Sequence, residues 1–106
     1  MIIPSSFKLM GKTITVQYDN SLVDRKNSLG NTWCQEIRLQ NPGKQISITR
    51  EDLEQTFFHE LVHSILNSMS EKELSGNEKF VELFSSLLHQ ALTTQSGDID
   101  ERMEFW

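Results

Sequence analysis

Five residues near the middle of the chain, His59-Glu60-Leu61-Val62-His63, carry the types and spacing that metal-assisted hydrolysis uses. On a helix, residues four apart lie on one face, so His59 and His63 can aim both imidazoles at one metal ion. Glu60, one position on, sits about a quarter-turn round the helix. From there a carboxylate can reach a metal-activated water without ligating the metal. A catalytic zinc takes three protein ligands and leaves one position for water, so a third ligand must come from outside the pentapeptide.

The element that must present these residues is a helix over about 50–69. Thr49 can cap its first free N–H groups, and Glu51 and Asp52 put negative charge at the positive end of the dipole. Leu53, Phe57, Leu61 and Ile65, with Phe58, Val62, Leu66 and Met69 beside them, form a wide apolar face, which makes this a core helix. After a charged, turn-rich segment, Ser75-Gly76-Asn77-Glu78 matches a capping box, with Ser at the cap and Glu three residues later.

A second helix is therefore predicted over about 77–92, with Phe80, Phe84, Leu87, Leu88 and Ala91 available for packing. Its other stripe is Glu78, Glu82, Ser85 and His89, all near one face. That stripe offers the third ligand. Glu78 already has a job as the carboxylate of the capping box, and His89 lies nearly three turns in and suits the edge of a core. Glu82, one turn inside a helix that packs antiparallel to the first, is the first choice, with Glu78 second and His89 third.

Upstream, Phe7 to Tyr18 reads as a β-hairpin: Phe7 and Leu9 alternate with polar neighbours, Gly11-Lys12 can turn, and Ile14, Val16 and Tyr18 alternate again. Residues 19–31 are polar and rich in breakers, a loop with room for one helical turn. Trp33, Ile37 and Leu39 fall on alternate positions and predict a strand from Thr32 to Gln40, stopped by Asn41-Pro42-Gly43. Ile46 and Ile48 suggest a short return strand. Tyr18, the only tyrosine, reads as a structural residue at a strand end rather than as an oxyanion donor.

The 106 residues suffice for one modest core, and the formal net charge of −5 offers no basic face for nucleic acid. The single cysteine, Cys34, cannot form an intrachain disulfide and reads as a small, half-buried strand residue. Neither a secretory signal nor an apolar run of membrane-spanning length is visible. A soluble cytoplasmic protein is the expectation, with residues 1–92 as a single domain and 93–106 as a polar, acidic C-terminal tail.

The segments Thr56-Phe57-Phe58-His59-Glu60-Leu61-Val62-His63-Ser64-Ile65-Leu66 and Phe80-Val81-Glu82-Leu83-Phe84-Ser85-Ser86-Leu87-Leu88 resemble the core of small zincin metallopeptidases. They are similar to the ImmA/IrrE-type family and its compact phage-encoded relatives. In those families a Glu followed three residues later by a small residue supplies the third ligand, a pattern that Glu82 and Ser85 match better than Glu78 and Val81. The resemblance spans roughly residues 46–92 and lacks both the apolar-Pro that often ends the third-ligand segment and any second domain.

It implies an α+β, zincin-like fold, a small mostly antiparallel sheet packed on the active-site helix and a second, ligand-bearing helix. It also implies one zinc ion (Zn2+) per chain on His59, His63 and Glu82. Glu60 would be the general base of a metallopeptidase acting on a peptide or protein substrate, bound as an added strand on a sheet edge such as Thr32 to Gln40. Two other readings stand beside it: a catalytically silent, zinc-stabilised binding module, and a SprT-like protease with His89 as third ligand. SprT-like proteases usually carry basic DNA-contacting regions, which this acidic chain lacks.

Overall fold

Alternation of apolar and polar residues in the first forty positions builds a four-stranded sheet, and the 3.6-residue periodicity after Thr49 builds helices that cover it. The computed structural model describes residues 2–20, 22, 30–33, 35–42 and 48–99. The architecture is α+β. Strands β1 (Ser6–Leu9), β2 (Lys12–Asp19), β3 (Gly30–Trp33) and β4 (Glu36–Gln40) lie in the order β1-β2-β4-β3. Helices α1 (Arg50–Ser68), α2 (Lys72–Ser75) and α3 (Glu78–Thr93) follow.

The expected first hairpin is present, with Leu9 paired to Lys12. Its two turn residues are Met10 and Gly11, at φ 50° and 79°. Two consecutive positive φ angles are what a tight hairpin needs, because that turn matches the right-handed twist of the strands. The turn thus falls one residue earlier than the Gly11-Lys12 read from the sequence.

The predicted single strand from Thr32 to Gln40 is instead a hairpin. Trp33 pairs antiparallel with Glu36, and Gly30 with Leu39. A two-residue turn between paired strands leaves the apolar alternation almost undisturbed, so period alone does not reveal the reversal. The sheet is mixed as a result: β4 runs parallel to β2, with Val16 opposite Ile37, and β3 becomes the edge strand. Directly opposed residues share a face, so Thr32 lies on the side of Ile37, which is fully buried in the core.

That core is Ile14, Ile37 and Leu39 from the sheet against Leu53, Phe57 and Phe58 from α1. Phe57 meets Phe7 and Phe58 edge-on. A second cluster, Val62, Leu66 and Val81, joins α1 to α3. The two helices run antiparallel, since Gln55 bonds Ser86 while Val62 packs near Val81.

Helix α1 starts at the expected cap. Thr49 Oγ1 accepts from Asp52 N at 3.0 Å and Asp52 Oδ2 accepts from Thr49 N at 3.2 Å, a reciprocal box that satisfies two terminal donors. It ends in a Schellman closure: Glu71 N donates to Leu66 O and Ser70 N to Asn67 O, with Ser70 at φ 60°.

Helix α3 starts differently from the sequence reading. Its cap is Asn77, whose Oδ1 accepts from Phe80 N at 3.1 Å, so Glu78 is the first helical residue and not a capping carboxylate. Asn caps as well as Ser. Starting the helix at Asn77 leaves Ser75 in α2, where it is buried. On its outer side α3 exposes Leu83, Phe84 and Leu87.

Ile48 is described and is not in a strand, while the rest of the return strand suggested around Ile46 lies outside the described residues. So do Cys34, most of the polar loop and residues 100–106 of the tail. No helix among the described residues is long and apolar enough to cross a membrane.

Candidate metal centre

His59 and His63 sit one turn apart on α1, about four-fifths buried, with ring centroids 5.0 Å apart. The antiparallel helix pair brings the start of α3 alongside them. Glu78 reaches both: its Oε2 lies 3.2 Å from His59 Nε2 and its Oε1 lies 3.3 Å from His63 Nε2. One donor atom from each of the three residues falls within 4.8 Å of the others.

The other nitrogen of each ring is held as well. His59 Nδ1 meets Glu82 Oε2 at 2.9 Å, and His63 Nδ1 meets Ser75 Oγ at 3.0 Å. A carboxylate only accepts, and both ring nitrogens of His59 face one, Nδ1 at Glu82 and Nε2 at Glu78. Contact at these distances is made either through a ring N–H or through a cation shared by nitrogen and carboxylate, and one divalent ion would serve both rings.

The spacing suits an ion. Bonds of about 2.0–2.1 Å at tetrahedral angles separate neighbouring donors by about 3.3 Å. Metal-bound histidines characteristically give their second N–H to a carboxylate or another oxygen acceptor, which sets ring orientation. Glu82 holds that place for His59, and Ser75 is in position to hold it for His63.

Glu82, the expected third ligand, touches the ring nitrogen of His59 that faces away from Glu78, so the donor atoms that cluster are those of His59, His63 and Glu78. The reason lies in the helix start. With Asn77 as cap, Glu78 is free to turn toward the histidines, and lying opposite His63 it spans both rings. His89 is also removed from the cluster. It is buried, its Nε2 donates to Glu54 Oε1 at 3.1 Å, and its ring lies against Phe58.

Glu60 is 8% exposed and packed under β3. Thr32 Oγ1 donates to Glu60 Oε1 at 2.6 Å and lies 3.2 Å from the Glu60 carbonyl oxygen. Gly30 makes this approach possible, because a Cβ there would come within 2.6 Å of Thr56 Cγ2 and 3.0 Å of Glu60 Cγ. Gly30, Thr32, His59, Glu60, His63 and Glu78 line one open cleft of about 310 Å³. Tyr18 does not line it; the residue is half exposed on β2.

Sequence reasoning missed three members of this site: Thr32, Gly30 and Ser75. Thr32 and Gly30 become relevant only through the β3–β4 register. Ser75 was assigned to a helix cap. The Asn77 two residues on, an equally strong cap residue, was the available signal against that assignment.

Compared with known proteins, the chain matches no family model, no curated protein and no solved structure.

Proposed function

We propose that this chain is a zinc-dependent metallopeptidase of a minimal zincin type, with one ion held by His59, His63 and Glu78. The observation that carries the reading is the convergence of both Nε2 atoms on one carboxylate while both Nδ1 atoms are held from outside. A mixed nitrogen and oxygen donor set of this kind suits zinc.

A divalent ion in this position supplies Lewis-acid chemistry, acidifying water and polarising a carbonyl. Glu60 lines the same cleft. Its role is to take the proton from the attacking water and return it to the leaving amine nitrogen. Thr32 anchors one carboxylate oxygen of Glu60, so that the other can face the cleft. Because β3 is the edge strand and lines the cleft through Gly30 and Thr32, a peptide added along it would pass its backbone over the histidines. The reading includes a cytoplasmic setting, in keeping with the lone cysteine, and no nucleic-acid partner, in keeping with the net charge of −5.

The test is metal content and turnover together. Purified protein is expected to hold about one zinc per chain, and His59→Ala to lose it. Glu60→Gln should keep the ion and lower cleavage of a mixed peptide library by about 10²–10⁴-fold, the usual worth of a general base. Wild type and Glu60→Gln that both bind zinc and are equally inert would replace the peptidase reading by that of a zinc-stabilised binding module. Protein that binds no metal would remove both.

A further inference from the structure

A second cavity, of about 320 Å³, opens between the β1–β2 hairpin and the last turns of α1. Asn67 lines both this cavity and the metal cleft, so the two hollows adjoin across one side chain. Leu9 and Ile14 give it an apolar wall, and Gln35, Ser64 and Asn67 add neutral hydrogen-bonding groups. Among the described residues, Lys12 is the one charged residue lining it. The metal cleft is the opposite case, with Glu60 and Glu78 on its walls.

Ser64 is the telling residue. It is 4% exposed, and its Oγ is buried with no hydrogen-bond partner among the described residues. A serine inside a helix ordinarily bonds the carbonyl four residues back, as Ser68 does to Ser64 O at 2.9 Å. For Ser64 that carbonyl belongs to Glu60, which already faces Thr32 Oγ1 at 3.2 Å. Leaving a buried hydroxyl unpaired is unfavourable. A partner arriving through the cavity would satisfy it.

We propose that this cavity is a specificity subsite that takes a glutamate side chain of a peptide lying across the metal cleft. The methylenes would lie on Leu9 and Ile14. The carboxylate would meet the Lys12 ammonium and the Ser64 and Asn67 donors. Both hollows also border the β3–β4 hairpin: Gly30 and Thr32 line the metal cleft, and Gln35, between β3 and β4, lines the second cavity. The proposal rests on the peptidase reading only in taking the ligand to be a peptide.

The experiment is an NMR titration of zinc-loaded, full-length Glu60→Gln protein with blocked alanine pentapeptides bearing glutamate, lysine or leucine at the centre. The glutamate peptide is expected to bind at least about 10-fold more tightly than the other two, the size of one charge-assisted contact, and to shift the amides of Leu9, Lys12, Ser64 and Asn67. Lys12→Glu should reverse the preference. Ser64→Ala should weaken the glutamate peptide several-fold while leaving the rest of the spectrum in place, whereas a hydroxyl that only packs would leave affinity unchanged. Equal affinities for the three peptides, a preference that survives both substitutions, or shifts confined to the metal cleft would each overturn the subsite. Failure of the peptidase reading has a different signature: wild type leaves all three peptides uncut while the glutamate preference in binding persists.

Discussion

Glu82 meets His59 through Nδ1, at 2.9 Å, and not through the nitrogen that faces Glu78. Two carboxylates one helical turn apart therefore address opposite edges of one imidazole, and they should differ sharply on substitution. Glu78→Ala is expected to abolish stoichiometric zinc binding. Glu82→Ala should keep the site and weaken it by about 10–100-fold, the usual cost of losing an outer hydrogen bond to a metal-bound histidine. Competition against a chromophoric chelator measures both, and the opposite order would return the ligand role to Glu82.

Gly30 should be intolerant of any side chain. An alanine Cβ would lie 2.6 Å from Thr56 Cγ2 and 3.0 Å from Glu60 Cγ, so β3 or the Glu60 side chain must move. Overpacking of this kind costs about 1–3 kcal/mol. Urea denaturation of Gly30→Ala should show a loss in that range. Because Thr56 Cγ2 is the nearest obstacle, Thr56→Ser is expected to recover part of the loss in the double variant. Strictly additive effects would mean that the strand relaxes without touching Thr56.

Ser70 closes α1 from the left-handed region, at φ 60°. Glycine adopts that conformation freely, whereas an L-residue with a Cβ is strained there. Ser70→Gly is thus expected to raise stability by about 0.5–1 kcal/mol, the gain being trimmed by the greater freedom of glycine in the unfolded chain. Thermal unfolding gives the sign directly; a lower Tm would show that the serine contributes something beyond its backbone angle.

The pair Glu54–His89 predicts behaviour in acid. The hydrogen bond from His89 holds the Glu54 carboxyl below the ordinary carboxylate range, outweighing the burial that pushes it up. A carboxyl whose folded-state value is depressed adds stability that is fully present above its unfolded value, about 4.3, and is lost as pH falls through the folded value. Wild type should therefore lose stability below about pH 5 more steeply than Glu54→Gln does. Matching slopes in urea melts taken from pH 6 to pH 3 would show that the pair carries no such linkage.

Much of the helical frame was legible because the signals were local. Thr49 and Asp52 lie three residues apart and close their own capping box. The apolar periodicity from Leu53 to Leu66 set the buried face of α1, and with it the common side of His59 and His63. Helix α3 lies within one residue at each end of the span predicted for it. The first hairpin also declared itself, because alternation and a glycine turn sit within fourteen residues of chain.

Relationships across the chain were not legible. Whether Thr32 and Leu39 belong to one strand or to two depends on pairing energies that alternation does not encode, and that choice alone delivers Thr32 to Glu60, 28 residues away. Choosing between Ser75 and Asn77 as a cap turns on where α2 docks, since both are good cap residues locally. The choice between Glu78 and Glu82 followed from that docking. Sequence by itself determined that two histidines and a glutamate would ride on a buried helix, because helical period is a property of adjacent residues. Only the tertiary structure decided which carboxylate faces both imidazoles and which hydroxyls steady them, because a hydrogen bond of about 3 Å between distant segments depends on helix starts and strand register set by the whole packed core.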